Sequence, residues 1–137
     1  MSYAGDLSPR ETWEALEADP DAVLVDVRTQ AEWTYVGVPD LSPIGREVVR
    51  IEWSSYPEGR VNERFIKDLE AAGAGQDQAV YFLCRSGVRS VAAAEVATAA
   101  GWRRAYNVLD GFEGPHDEDR HRTVAGWKVS GLPWVQG

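Results

Sequence analysis

The chain is poor in several things, and each shortage narrows what it can be. It holds one cysteine, Cys84, so no disulfide can close within it, which agrees with a reducing compartment. Its two histidines, His116 and His121, are spaced like no strong metal-ligand motif and have no second cysteine or histidine cluster beside them, so neither a metal nor a cofactor is expected. Nowhere do eighteen or so apolar residues follow one another, and Met1-Ser2-Tyr3-Ala4-Gly5-Asp6 has no basic stretch ahead of an apolar run. No membrane partner is expected, and the location is read as cytoplasmic. Basic residues are outnumbered 22 to 14, a net charge of −8, which argues against a nucleic-acid partner because displacing counterions from phosphates needs a basic face. The same acidic exterior repels small anions at long range, so an anionic ligand must be captured by a local positive site.

What is present is ordinary globular material. The 137 residues are 44% hydrophobic and 26% charged, enough to bury a core without staples, and are read as one domain, 1–137. Ser8-Pro9-Arg10-Glu11 is a helix start, with serine at the N-cap, proline at the first helical position and glutamate completing a capping box. Trp13 and Leu16 would then face inward, and Asp19-Pro20-Asp21 would end the helix. Ala22–Val27 is a nearly continuous apolar run, the pattern of a strand buried on both faces. Val48–Trp53 alternates after Val49, as a strand with one wetter side does.

Asn62 is a plausible cap for a helix whose apolar stripe is Phe65, Ile66 and Leu69, closed by Gly73 and Gly75. A further strand, Ala79–Leu83, leads to Cys84, then to a small-residue helix over Ser90–Ala100 and a strand over Ala105–Leu109. Strands alternating with helices predict an α/β fold with a central parallel sheet and helices on both faces. Ligands of such sheets bind beyond the C-terminal strand ends, which is where Cys84 falls.

Two readings of Cys84 compete. A packing cysteine would fall inside the apolar run or the helix. Cys84 instead precedes Arg85-Ser86-Gly87-Val88-Arg89-Ser90, an electropositive junction of strand and helix start whose unpaired N–H groups favour a thiolate or a bound anion. It is therefore read as a nucleophile.

These residues resemble the rhodanese-like sulfurtransferases, over roughly Leu7 to Trp134. Leu24-Val25-Asp26-Val27-Arg28 with Glu32-Trp33 is similar to the first signature of that family, and Cys84-Arg85-Ser86-Gly87-Val88-Arg89-Ser90 to its active-site loop. Asn107-Val108-Leu109-Asp110-Gly111, with Trp127 and Gly131-Leu132-Pro133, is similar to its C-terminal signature. Two departures stand out. Val36-Gly37-Val38-Pro39 lacks the histidine that usually follows the first signature, and 115–126 looks like an inserted loop.

The resemblance implies a single-domain rhodanese-like fold and a Cys84 persulfide formed from a donor such as thiosulfate. The acceptor would be a thiol, cyanide or a protein. A lone cysteine cannot resolve its own persulfide, so the acceptor comes from outside the chain. Ionising the thiol gains little by itself, because intrinsic nucleophilicity falls as the thiolate becomes easier to form. Capture of the donor and stabilisation of the departing sulfite, by loop N–H groups and arginine, must contribute more.

Gly87 would let the loop turn its amides inward, Arg85 would face the donor, and Arg89 would close the loop or pair structurally. Ser86 and Val88 complete the anion-binding loop, and Asp26 and Arg28 support it, more by structural pairing than by chemistry. Two alternatives remain. Related cysteine phosphatases use a loop one residue longer than the six residues from Cys84 to Arg89, and a rhodanese-like domain can serve as a non-catalytic binding module. The oligomeric state is not legible.

Overall fold

The computed structural model describes residues 3–54, 60–85, 88–114 and 126–136. Ser86, Gly87 and the segment 115–125, with both histidines, lie outside the described residues.

Five parallel strands form the central sheet: β1 (Gly5–Leu7), β2 (Val23–Asp26), β4 (Val49–Arg50), β5 (Val80–Leu83) and β6 (Ala105–Val108), in the order β1-β6-β5-β2-β4. A two-stranded antiparallel pair, β3 (Val38–Pro39) with β7 (Trp134–Val135), stands apart from it. The helices are α1 (Pro9–Ala18), α2 (Gln30–Tyr35), α3 (Phe65–Ala71) and α4 (Val88–Ala99). This is the expected α/β architecture.

The two-residue period of the strands divides the core. Val25, Val27, Val80, Phe82, Cys84 and Ala105 pack on one side with Phe65 and Leu69 of α3 and Ala93, Ala94 and Ala97 of α4. Leu24, Tyr81, Leu83 and Val108 pack on the other with Leu16 of α1, Phe112, Trp127 and Leu132. Both central strands are therefore apolar on successive residues, because neither face meets water. Full burial of each of these large apolar side chains contributes about 1.5–3 kcal/mol.

Local signals held where they were strong. Ser8 and Glu11 make the reciprocal capping box of α1, with Glu11 N donating to Ser8 Oγ (3.1 Å) and Ser8 N to Glu11 Oε1 (2.8 Å). Pro9, Thr12 and Leu16 are the buried residues of that helix, while Trp13 is half-buried against Trp127.

Weaker signals drifted. The strand read over Val48–Trp53 is regular only at Val49–Arg50, because an edge strand has one partner. Ile51 N and Trp53 N still bond to Asp26 O (3.1 Å) and Val27 O (3.0 Å). Asn62 is not the cap of α3. The helix starts three residues later, and Asn62 instead ties Glu52 O and Asp68 Oδ2 together through Nδ2 at 3.0 Å each, while Arg64 N donates to its Oδ1. Helix α4 begins at Val88, two residues before Ser90, which places Arg89 and Ser90 side by side in its first turn.

Candidate functional site

Cys84 is the first residue past the C-terminal end of β5, the middle strand of the sheet. Its backbone is held from the far end of the chain. Phe112 N donates to Cys84 O (2.8 Å), and Glu113 N and Gly114 N donate to Arg85 O (3.0 and 3.1 Å). Gly111 makes that approach possible. Its φ is +58°, and a Cβ there would collide with the Cys84 carbonyl and lie 2.7 Å from the Arg85 carbonyl oxygen. The turn Gly111-Phe112-Glu113-Gly114 is thus the clasp on the cysteine's own strand end.

The thiol is more enclosed than its place at a polar junction suggests. Cys84 is 1% exposed and belongs to the core on the α4 side, because the alternation of β5 carries through: residues 80, 82 and 84 share a face. Its Sγ lies 3.2 Å from Ser90 Oγ. Arg85 and Val88 are exposed, Val88 at 77%, so the loop presents charge and apolar surface outward while the sulfur lies beneath. The inward-turned amides expected of Ser86 and Gly87 lie outside the described residues.

Arg89 is positioned by Glu32. Arg89 Nη1 donates to Glu32 Oε1 (2.8 Å) and Nη2 to Oε2 (3.0 Å), a bidentate pair that fixes the guanidinium plane. Glu32 also closes a second capping box, accepting from Thr29 N (3.0 Å) at the start of α2. Burial pushes the Glu32 carboxyl up, but the hydrogen bonds from Arg89 and the Thr29 backbone, with the charges of Arg89 and Arg28, bring it down to about 2. For Arg89, burial works against the charge, and Glu32, helped by Cys84 and Asp26, more than offsets it, so the guanidinium is held more firmly than usual. Arg89 is therefore a paired cation at the head of α4, facing the cysteine.

Asp26 and Arg28 are both fully buried and bond to each other, Nε to Oδ1 at 2.9 Å and Nη2 to Oδ2 at 2.7 Å. Arg28 Nη2 also donates to Gly37 O (2.6 Å), and its guanidinium lies 4.3 Å over the Phe112 ring. The pair thus joins the end of β2 to the turn before β3 and to the clasp segment, a structural role.

Three residues of the site were missed by sequence reasoning as a set: Asp6, Ser90 and Asn107. Asp6 and Asn107 sit opposite each other in the β1–β6 register, and Asn107 Oδ1 is 2.5 Å from Ser90 Oγ. The signal was available only through that register. No group of three or more metal-ligating side chains occurs among the described residues, and no helix among them is long and apolar enough to cross a membrane.

Comparison with known proteins follows the same lines. Residues 4–137 match the family model described as the STR4 middle domain. The crystal structure of Rv0390 from M. tuberculosis superposes with a TM-score of 0.90 at 55% identity, covering 99% of this chain and all of that one. An uncharacterized protein of Rickettsia conorii is 36% identical over 125 residues, 90% of this chain and 91% of its own. The thiosulfate sulfurtransferase GlpE of Actinobacillus pleuropneumoniae is 27% identical over 128 residues, 93% of this chain and 90% of its own. With its cysteine off the middle strand of a five-stranded parallel sheet and a family match from residue 4 to the last, the chain belongs to the STR4 middle-domain family and is a rhodanese-like protein.

Proposed function

We propose that this protein is a sulfurtransferase that carries a sulfane sulfur on Cys84, taking it from an anionic donor such as thiosulfate and passing it to a thiophilic acceptor. The observation that supports this most is one thiol just past the central strand together with a guanidinium five residues on that Glu32 holds in a fixed plane. In the first step the Cys84 thiolate attacks the outer sulfur of thiosulfate. A new S–S bond forms, the S–S bond of the donor breaks, and its electron pair leaves on sulfite. In the second step a thiophile such as cyanide attacks the outer sulfur of the persulfide and leaves with it, returning the thiolate.

Arg89 favours both anions, the donor on arrival and the sulfite on departure. Because the thiol is 1% exposed, the donor gains it only when neighbouring groups give way, so capture by Arg85 and Arg89 precedes attack. The six-residue span from Cys84 to Arg89 suits a single sulfur better than a phosphoryl group.

The burial of Cys84 favours one competing reading, a rhodanese-like binding module without catalysis. Whole-protein mass spectrometry after exposure to thiosulfate separates the two. Gain of one sulfur, lost on adding cyanide and missing in Cys84→Ser, is the expected result. No gain, with partner binding unaffected by Cys84→Ser, overturns it in favour of the module.

A further inference from the structure

Behind the thiol runs a line of hydrogen bonds that the sulfur-transfer steps above leave unused. Tyr3 Oη donates to Asp6 Oδ1 at 2.9 Å, and Asn107 Nδ2 donates to the same oxygen at 3.0 Å. Ser90 Oγ lies 2.5 Å from Asn107 Oδ1 and 3.2 Å from Cys84 Sγ. Ser90 is fully buried and Asn107 is 2% exposed, so those two have little bulk water to turn to, while Asp6 at the outer end of the line is exposed.

Each direction in this line forces the next. A carboxylate only accepts, so Asn107 turns its NH2 to Asp6 and its carbonyl oxygen to Ser90. An amide oxygen also only accepts, so the one proton of the Ser90 hydroxyl goes to Asn107. Lone pairs are then all that Ser90 offers to Sγ, and the sulfur must be the donor. We infer that Asp6 and Asn107 are positioning residues that set the direction of the Ser90 hydroxyl and thereby hold the resting Cys84 as a thiol.

The meaning for catalysis rests on the sulfur-transfer reading. Attack on a donor begins when the Sγ proton leaves to solvent, and Ser90 then swings its O–H from Asn107 to the sulfur. In the persulfide the charge lies on the outer sulfur and Sγ can only accept, so Ser90 stays turned toward it. Return of the thiolate and its reprotonation from solvent restore the resting direction. The hydroxyl of Ser90 thus has one orientation for the empty enzyme and another for the loaded one.

Other charges act on the same sulfur. Arg89 on α4 faces it and favours the thiolate, with Glu32 of α2 and Asp26 of β2 facing Arg89 in turn. Arg85 follows it in the chain. On the remote side Glu95 of α4 faces Tyr3. The line from Asp6 opposes Arg89.

Asp6→Asn keeps the shape and relaxes the direction. An amide at position 6 can donate to the Asn107 carbonyl, which turns the Asn107 NH2 to Ser90 and releases the hydroxyl proton for sulfur. The readout is the far-ultraviolet thiolate band against pH, with Cys84→Ser subtracted, in wild type, Asp6→Asn, Ser90→Ala and the double variant. The band is expected at lower pH in Asp6→Asn, by about one pH unit, or roughly tenfold more thiolate below the midpoint. In the Ser90→Ala background most of that shift should vanish, which separates the relay from mere loss of a negative charge. Identical profiles for wild type and Asp6→Asn, or an equal shift with and without Ser90, overturn the inference. Sulfur uptake by the same proteins is scored separately. Absence of uptake with the shift present counts against sulfur transfer and leaves the positioning role standing.

Discussion

Arg89 and Glu32 meet in a two-pronged ion pair between the first turn of α4 and the first turn of α2, 57 positions apart in the chain. The pair sets the plane of the guanidinium in the first turn of α4, and it makes one acid do two jobs, holding a guanidinium and capping a helix.

The first prediction follows from the acidity of Glu32. Its folded-state value of about 2 lies below the ordinary 4.5, so the stability it contributes is complete above pH 4.5 and is lost as pH falls through 2. That difference corresponds to at most about 3 kcal/mol. Urea denaturation of wild type and Glu32→Gln should show a gap at neutral pH that closes between pH 4.5 and about 2. A gap that stays constant over that range contradicts the assignment.

Arg89→Lys keeps the charge and loses the fork. An ammonium cannot occupy both oxygens of Glu32 as the guanidinium fork does, so the place of the cation is no longer fixed. The rate of sulfur uptake from thiosulfate, followed by mass, should fall roughly tenfold while the fold persists. Uptake at the wild-type rate would mean that charge alone suffices.

Gly111→Ala tests the clasp. The methyl group would strike the Cys84 and Arg85 carbonyls from a backbone at φ +58°, and the turn has nowhere to retreat without breaking the bonds from Phe112 N and Glu113 N. A loss of about 2 kcal/mol or more in unfolding free energy is expected, together with loss of sulfur uptake. Wild-type stability in this variant would show that the segment can swing aside.

Asp26→Asn removes one charge of a fully buried pair and strands the other. The expected cost is about 3–5 kcal/mol in denaturant unfolding. Sulfur uptake per folded molecule should change little, because among the described residues neither side chain hydrogen-bonds to Cys84 or Arg89, and Asp26 acts on Arg89 only through its charge. A selective loss of uptake would give the pair a chemical role.

How far the chain could be read in advance depended on whether a feature was written locally. The capping box at Ser8 is a four-residue signal and was legible outright. The buried strands were legible because both faces are covered, so Leu24-Val25 and Val80–Leu83 are apolar without a break. Helix α2 was not foreseen. Thr29 and Glu32 spell the same box, but none of its six residues is buried, so no apolar stripe announces it.

Strand β1 was missed for a similar reason, being three residues long, half exposed and at the sheet edge. Cys84 stood out by its neighbours as the residue of interest, whereas its depth was set by strand parity, and the parity of residues 80, 82 and 84 was there to be counted. The line through Asp6, Asn107 and Ser90 was beyond local reading, since it exists only once β1 lies beside β6.

The clasp on Cys84 comes from residues 111–114, made well after the cysteine itself. On a ribosome the strand that bears the thiol therefore emerges with its terminal carbonyl unanswered, and acquires its partner only once residues 111–114 have left the exit tunnel. Translation that stops before residue 111 releases a product in which the thiol is present but its strand end has nothing to answer it, so the surroundings of Cys84 are completed by a segment made well after the cysteine.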